Sequence, residues 1–571
     1  MNYKSFFSRI KIFSFCILAF AAVLVLKLFW VQVMQSNTYK EKADRQYATP
    51  AGDIFERGGI YFQSKGGQLV SAAIQTEGYK VAINPSGITD PENAFDKLSA
   101  LFPLLHDKFI SQAEKKSDPY EEIGNRLSKE TADKISALKI PGVSIYKEKW
   151  RFYPGGNLAA HALGFVGFRG DELSGRYGLE KGYNSTLSQG ADSPYVNFFA
   201  EVFSNINKKF FSDGERSGEV ITSIEPAVQG LLEKKLLEVK ERYQVDSIGG
   251  IVMNPTDGSI YAMAAKPDFD PNNFSETGDN AVFANPLVEH VFEFGSVVKP
   301  LVMAAGLDTK VVTAGTSYDD KGMVVVDNKQ IYNFDKKGRG PGTTMQDVLN
   351  QSLNTGMVFV AKRLGRENVR DYLESYGIGQ KTGIDLPNET RGLTSNLKAP
   401  RDLEYANAAF GQGIAMTPVE MVRALASLGN GGNLVVPHVA KYIKYNDGEV
   451  QEMTYPTSRV KFSPTTGTEI TRMLVTVMDK SLSGGLVKFD HYSVAVKTGT
   501  AQVANQTSGG YYQDRHTHSF FGYFPAYDPK FIIFLYAVNP KGVEYASQTW
   551  TDPFLGITKF LLNYYEVPPD R

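Results

Sequence analysis

The sequence predicts a multidomain α+β protein: an N-terminal transmembrane helix, a β-rich pedestal with a helical insert, and a C-terminal domain whose helical sequence is bracketed by strands. Three observations carry that forecast. Residues Ile12 to Met34 are almost wholly apolar, broken mainly by Ser14, Lys27 and Gln32, and about 20 such residues cross a bilayer. Tyr47 to Pro85 then combines glycines with alternating apolar residues, the pattern of short strands and turns. In the last half, strand-like runs stand at both ends of mostly helical sequence, which suits a sheet covered by helices.

The elements follow in order. Lys4, Arg9 and Lys11 precede the apolar run, so the positive-inside tendency keeps the N-terminus cytoplasmic and sends the bulk outside, a single-pass topology in the inner membrane. Lys27 lies near the outer end, where its stem snorkels to the interface. A cleaved signal peptide is the rival, since Ala19-Phe20-Ala21 imitates a cleavage site, but the run continues through Leu26 and Trp30. The one cysteine, Cys16, falls inside the span, so no disulfide forms within the chain. Ser36 to Gln46 reads as a juxtamembrane extension. Phe95 to Leu138 carries Leu98, Leu101, Phe102 and Leu105 at helical intervals and reads as the helical insert. Glycines then punctuate residues 155 to 182, marking turns and close packing, and His161 and Glu180 there read as structural. The expected division is an anchor over 1–35, a pedestal over 36–235 and a last domain over 236–571.

That last domain begins near Ser223 to Gln229, ahead of a helical pattern through Leu231, Leu232, Leu236, Leu237 and Val239. Gly249 to Asn254 and Ser259 to Ala264 flank the turn Pro255 to Gly258, a hairpin signature. Ser519 to Phe524 and Phe531 to Val538 read as strands, and Leu555 to Tyr564 as a closing helix. Over 571 residues, 61 basic side chains face 62 acidic ones, which removes the electrostatic case for nucleic acid.

Three motifs fall in one order: Ser296-Val-Val-Lys299, Ser352-Leu-Asn354 and Lys497-Thr-Gly499. Singly they say little. Ser-x-x-Lys also begins at Ser8, Ser136, Ser144, Ser395 and Ser458, and Lys381-Thr382-Gly383 repeats the third motif in a loop. Context decides. Gly295 ahead of Ser296 and Pro300 after Lys299 place the serine at a helix N-terminus. Three-residue spacing puts Ser296 and Lys299 on one face, where an amine can take a hydroxyl proton. Lys497 ends the alternating run from Tyr492 to Val496, read as a strand, and Gly499 lets another chain approach. The bland alternatives are a helix cap at Ser296, a solvated Lys299, and capping by Ser352 and Asn354 of a helix beginning near Thr355. His516-Thr-His518 lacks a nearby ligand set for a metal and reads as a polar strand face.

Together the motifs resemble the penicillin-binding and serine β-lactamase superfamily. The segment Tyr177-Gly-Leu-Glu180 and the turn Phe55-Glu-Arg-Gly-Gly59 resemble the pedestal of class B penicillin-binding proteins, although Glu56, Gly58 and Ala51 depart from the family's Asp, Asn and Arg. Val291-Phe-Glu293 before the first motif is similar to the division (FtsI) type, with Phe294 in place of proline. The resemblance implies a serine D,D-transpeptidase needing neither metal nor cofactor. Ser296 would be the nucleophile and Lys299 its base, kept neutral by burial and by Lys497. Ser352 would relay a proton to the leaving amine and Asn354 would hold the substrate amide. The N–H groups of Ser296 and Thr500 would form the oxyanion hole, and Thr498, Thr500 and Lys497 would meet the substrate carboxylate beside Gly499. The implied partners are peptidoglycan stem peptides ending in D-Ala-D-Ala, β-lactams, a polytopic glycan-polymerising glycosyltransferase (FtsW/RodA type) and other division proteins. The other readings are an elongation-type enzyme, a β-lactamase or carboxypeptidase, which the large pedestal disfavours, and a β-lactam sensor or scaffold. About eleven residues before the span leave a sensor little room for cytoplasmic signalling machinery.

Overall fold

The computed structural model describes residues 56–169, 172–189, 216–505 and 509–571. The expected span over Ile12 to Met34, the juxtamembrane extension and Ala51 lie outside the described residues. Among those described, no helix is long and apolar enough to cross a membrane. The chain divides into two compact units, one containing Thr76–Trp150 and the other Arg57–Gln75 with Arg151–Arg571.

The smaller unit is built on strand pairing in which Tyr79 faces Leu127, Val81 faces Gly124 and Ile83 faces Glu121. Helices Pro91–Ser99, His106–Ala113 and Lys129–Ala137 bury Leu98, Phe109 and Ile135 with Val81 and Ile83. Asp90 and Ser128 start two of them by accepting from the backbone N–H of Asn93 and Thr131. The expected insert is therefore not helical throughout, because Glu121–Leu127 is a strand. Pro119 just ahead of it cannot continue a helix, and its partner strand supplies the backbone bonds.

In the larger unit, helix α1 (Pro226–Tyr243) leads into strands β1 (Ser247–Met253) and β2 (Ile260–Lys266). Strands β3 (Ala495–Ala504), β4 (Tyr511–Phe524) and β5 (Phe531–Val538) complete one sheet in the order β2-β1-β5-β4-β3. All its pairings are antiparallel, so the first and last strands of the domain do share one sheet. Alternation along β4 sends side chains to opposite faces. Phe520 meets Phe554 of helix α6 (Ala546–Tyr564), while the Tyr523 hydroxyl bonds Thr471 of helix α5 (Pro464–Lys480) at 2.8 Å. Helices α2 (Lys299–Asp308), α3 (Asn354–Ser375, kinked at Gly365) and α4 (Pro418–Gly429) pack on the α5 side.

Two boundaries differ from expectation. Strand β3 starts at Ala495 and carries Lys497-Thr-Gly499 within it, because Thr498 to Gln502 keep pairing with His516 to Phe520. Helix α6 begins at Ala546, nine residues early, and runs through Pro553. Proline usually breaks such a run. Here Trp550 and Phe554 on either side are fully buried, and that packing holds the helix across the missing bond.

Candidate active site

The nucleophile candidate is held by a turn. Residues Gly295–Val298 form one 3-10 turn that runs directly into α2, with Pro300 in the first helical positions. This is the helix N-terminus the sequence implies. Gly411, at φ 81°, presses its backbone on Gly295, and the Gly295 N–H donates to the Gly411 carbonyl at 3.2 Å. A Cβ at Gly411 would collide with the Gly295 carbonyl. Ser296 itself is half-buried and lines a cleft of about 830 Å³.

Lys299 follows one turn on, fully buried. Its ammonium nitrogen donates to the Ser352 carbonyl (2.6 Å), the Ser352 hydroxyl (3.2 Å) and Asn354 Oδ1 (2.8 Å). Lys497, also buried, reaches the same Ser352 hydroxyl at 3.0 Å and the Thr498 carbonyl at 2.9 Å. Ser352 therefore sits between two lysines. Among the described residues, none of the hydrogen bonds of Lys299 goes to Ser296, since its donors are taken by the Ser352–Asn354 segment. Burial, and then the charge of Lys497, push Lys299 well below the usual lysine range. Burial alone pushes Lys497 down to about 7. No carboxylate bonds either amine among the described residues, so the pocket favours removal of a proton.

Ser352 adopts φ 55°, a left-handed conformation unfavourable for serine. That strain lets its carbonyl and its hydroxyl face Lys299 together. The capping alternative fails: α3 starts at Asn354, its cap residue is Leu353, and no side chain caps it locally. Asn354 uses both ends of its amide, Oδ1 toward Lys299 and Nδ2 toward the Tyr332 carbonyl at 2.9 Å.

On β3, Thr498 and Thr500 line the cleft, and Thr500 Oγ1 accepts from the Ala546 N–H at 3.2 Å. A Cβ at Gly499 would strike the Phe294 carbonyl and the Ser519 hydroxyl, so glycine is needed for the strand to pass the nucleophile turn. All eight residues singled out in the sequence thus meet at one place. The repeat Lys381-Thr-Gly383 stays in a loop, where Glu389 accepts from the Thr382 N–H and hydroxyl.

Other cleft residues carry no sequence signal: Tyr332, Phe334, Arg339, Asn407, Gln502 and Tyr545 come from strands, loops and the helix Asp402–Ala408, far apart in the chain. His516 is not simply a surface position, because it also lines this cleft, while His518 is fully buried against Thr549 (2.9 Å). Outside the cleft, His161 is buried, donates its Nε2–H to the Val282 carbonyl (2.9 Å), and is pushed down to about 4 by burial. Glu180 is enclosed by Arg57 and Arg151 at 2.6 Å each. Both fit a structural role.

An antiparallel sheet with helices on both faces, and a serine beside two buried lysines at its edge strand, define a transpeptidase domain of the penicillin-binding type. Residues 248–557 match the family model of the penicillin-binding protein transpeptidase domain, and residues 56–200 that of the penicillin-binding protein dimerisation domain. The chain belongs to the penicillin-binding protein family and has the two-domain organisation of its class B members. It is 29% identical over 518 residues to stage V sporulation protein D of Bacillus subtilis, covering 88% of this chain and 76% of that protein. It is 24% identical over 570 residues to peptidoglycan D,D-transpeptidase FtsI of Escherichia coli K12, covering 97% and 91%. The crystal structure of penicillin binding protein 3 from Mycobacterium tuberculosis with aztreonam shares the fold at a TM-score of 0.68 and 22% identity, over 91% of this chain and 98% of that one.

Proposed function

We propose that this chain is a membrane-anchored serine D,D-transpeptidase that cross-links peptidoglycan stem peptides through an acyl-enzyme on Ser296. The observation that carries the reading is the pair of buried lysines converging on the Ser352 hydroxyl beside Ser296, with no bonded carboxylate among the described residues. A hydroxyl needs a base to become a nucleophile, and a lysine forced toward its neutral form is one.

In this reading Ser296 Oγ attacks the carbonyl of the penultimate D-Ala, and its proton passes to Lys299. The oxyanion is met by the N–H groups of Ser296 and Thr500. Lys497, Thr498 and Thr500 receive the terminal carboxylate, Gly499 allowing the close approach. The C–N bond to the last D-Ala breaks as Ser352 relays a proton to its nitrogen. An amine of a second stem then takes the acyl group, and Asn354 aligns the donor amide. β-Lactams enter the same cleft and stay on the serine.

The proposed division is a membrane anchor over 1–35, a pedestal over 36–235 and a transpeptidase portion over 236–571. The bulk faces the cell wall. The expected membrane partner is a glycan-polymerising glycosyltransferase. The narrower proposal is a septal role, supported by Val291-Phe-Glu293 and by relatives named FtsI.

The test is intact mass and peptide mapping after benzylpenicillin, beside Ser296→Ala. A stable adduct mapping to Ser296 and absent from the variant is expected. An adduct elsewhere, or rapid hydrolysis in the wild type, would refute the acyl-enzyme or the transpeptidase assignment respectively.

A further inference from the structure

One wall of the cleft is a pair of short ribbons: Ser317–Asp320 pairs with Gly340–Thr344, and Met323–Val326 with Lys329–Tyr332. Tyr332, Phe334 and Arg339 line the cleft from this wall. Beneath them lies a polar cluster that none of the three motifs contains. Asp320 and Asn333 are each 1% exposed and Thr355 is 5% exposed.

The cluster is closed by its own hydrogen bonds. Asp320 Oδ1 accepts from the Thr355 hydroxyl at 2.8 Å and from the Gly322 N–H at 3.0 Å. Asn333 Nδ2 donates to both carboxylate oxygens, at 3.1 and 3.0 Å, and the Arg339 N–H donates to Oδ2 at 3.1 Å. A buried carboxylate is costly unless its lone pairs are filled in this way. Asn333 Oδ1 then accepts from the Thr355 N–H at 3.2 Å. Helix α3 lacks a cap of its own, so the wall supplies the acceptor that its first turn needs.

The link to chemistry is one residue away. The Tyr332 carbonyl, next to Asn333, accepts from Asn354 Nδ2 at 2.9 Å. A primary amide can present either end, and this contact forces Oδ1 toward Lys299, where it accepts at 2.8 Å. Rotating the amide would aim a donor at a donor.

We propose that Asp320, acting through Asn333 and Thr355, is a positioning residue that holds Ser352-Leu353-Asn354 in register with Lys299. It touches neither substrate nor the reacting atoms. The inference rests on the assignment of Ser296 as the acylated serine.

The test compares Thr355→Val, which keeps volume and loses the hydroxyl, with Thr355→Ser, which keeps the hydroxyl, in the full-length chain. Asp320→Asn serves as the direct variant. Benzylpenicillin acylation is resolved into its binding constant and its chemical rate constant, with circular dichroism reporting the fold. Thr355→Val and Asp320→Asn slow the chemical step about tenfold or more, as a misplaced catalytic segment does. The binding constant stays within about twofold, because no cleft-lining side chain has changed. Thr355→Ser restores the wild-type step. A folded Thr355→Val acylated at the wild-type rate would overturn the inference while leaving Ser296 in place. So would equal losses in the Val and Ser variants, or a loss confined to binding. A wild type that forms no Ser296 adduct would sink the acyl-enzyme reading and this inference with it.

Discussion

Two fully buried charge clusters in the larger unit obey opposite rules. Glu180 is enclosed by cations: Arg57 Nε and Arg151 Nε each donate at 2.6 Å, Arg57 also bonds the Glu180 carbonyl at 2.7 Å, and Tyr153 adds its hydroxyl at 3.3 Å. At the cleft, Lys299 and Lys497 are as deeply buried, yet bond only neutral acceptors and share the Ser352 hydroxyl. Burial pushes Glu180 up, but the two guanidinium groups outweigh it and hold the carboxyl below its usual range. Burial pushes both lysines down with nothing to oppose it. A charge surrounded by its complement is fixed and inert. A charge deprived of one is ready to give up its proton.

The sharpest way to break this contrast is Glu180→Gln. Arg57 and Arg151 would remain buried without their counterion, and removing one partner of such a cluster costs about 3–5 kcal/mol. The expected result is a large drop in the urea midpoint at pH 7, with Ser296 still acylated in whatever remains folded. The pH dependence has a definite sign. Because the folded carboxyl lies below its unfolded value, its stabilisation is complete above the unfolded carboxylate range near ~4.3 and fades as pH falls through the folded value. A midpoint unchanged by Glu180→Gln would mean that the cluster is not what holds this segment.

The contrast also explains what the sequence could disclose. Ser296, Lys299, Ser352, Asn354 and Lys497 were legible because each motif is local, and helix and strand periodicity alone aims its side chains. Residues tied by tertiary contact were not. Asp320, Asn333 and Thr355 stand 13 and 35 residues from one another's partners with no spacing rule to join them. Arg151 gives no hint that it meets Glu180. Helix α6 was obscured by Pro553, whose local preference is overruled by Trp550 and Phe554 in the core. The strand in the insert was hidden likewise, because Glu121–Leu127 is charged and gains its conformation from its partner.

A smaller effect tests the other pole. Lys497→Met removes the second cation, so Lys299 holds its proton more tightly and the acid limb of benzylpenicillin acylation moves to higher pH. Stability should move the opposite way from the Glu180 case. A buried lysine with its pKa lowered to about 7 destabilises the fold fully below that value. The cost is relieved as pH rises toward the unfolded value near ~10.4. Lys497→Met is therefore expected to raise the thermal midpoint at pH 6 relative to wild type, with the gain shrinking by pH 9. An acid limb that stays put would show that Lys497 does not set the protonation of Lys299, leaving burial as the sole cause.

The smallest effect belongs to the repeated motif. Lys381-Thr-Gly383 has the letters of the third motif but not its surroundings: Glu389 Oε1 accepts from the Thr382 N–H at 2.5 Å and hydroxyl at 2.6 Å, and Oε2 from the Gly383 N–H at 3.1 Å. Its lysine is exposed and lies in a loop outside the cleft. Lys381→Ala should leave the acylation rate, its pH profile and the thermal midpoint where they were. A shifted pH profile would show that a lysine can be tuned in this protein without burial, and the distinction between compensated and uncompensated charge would then fail as an account of the cleft.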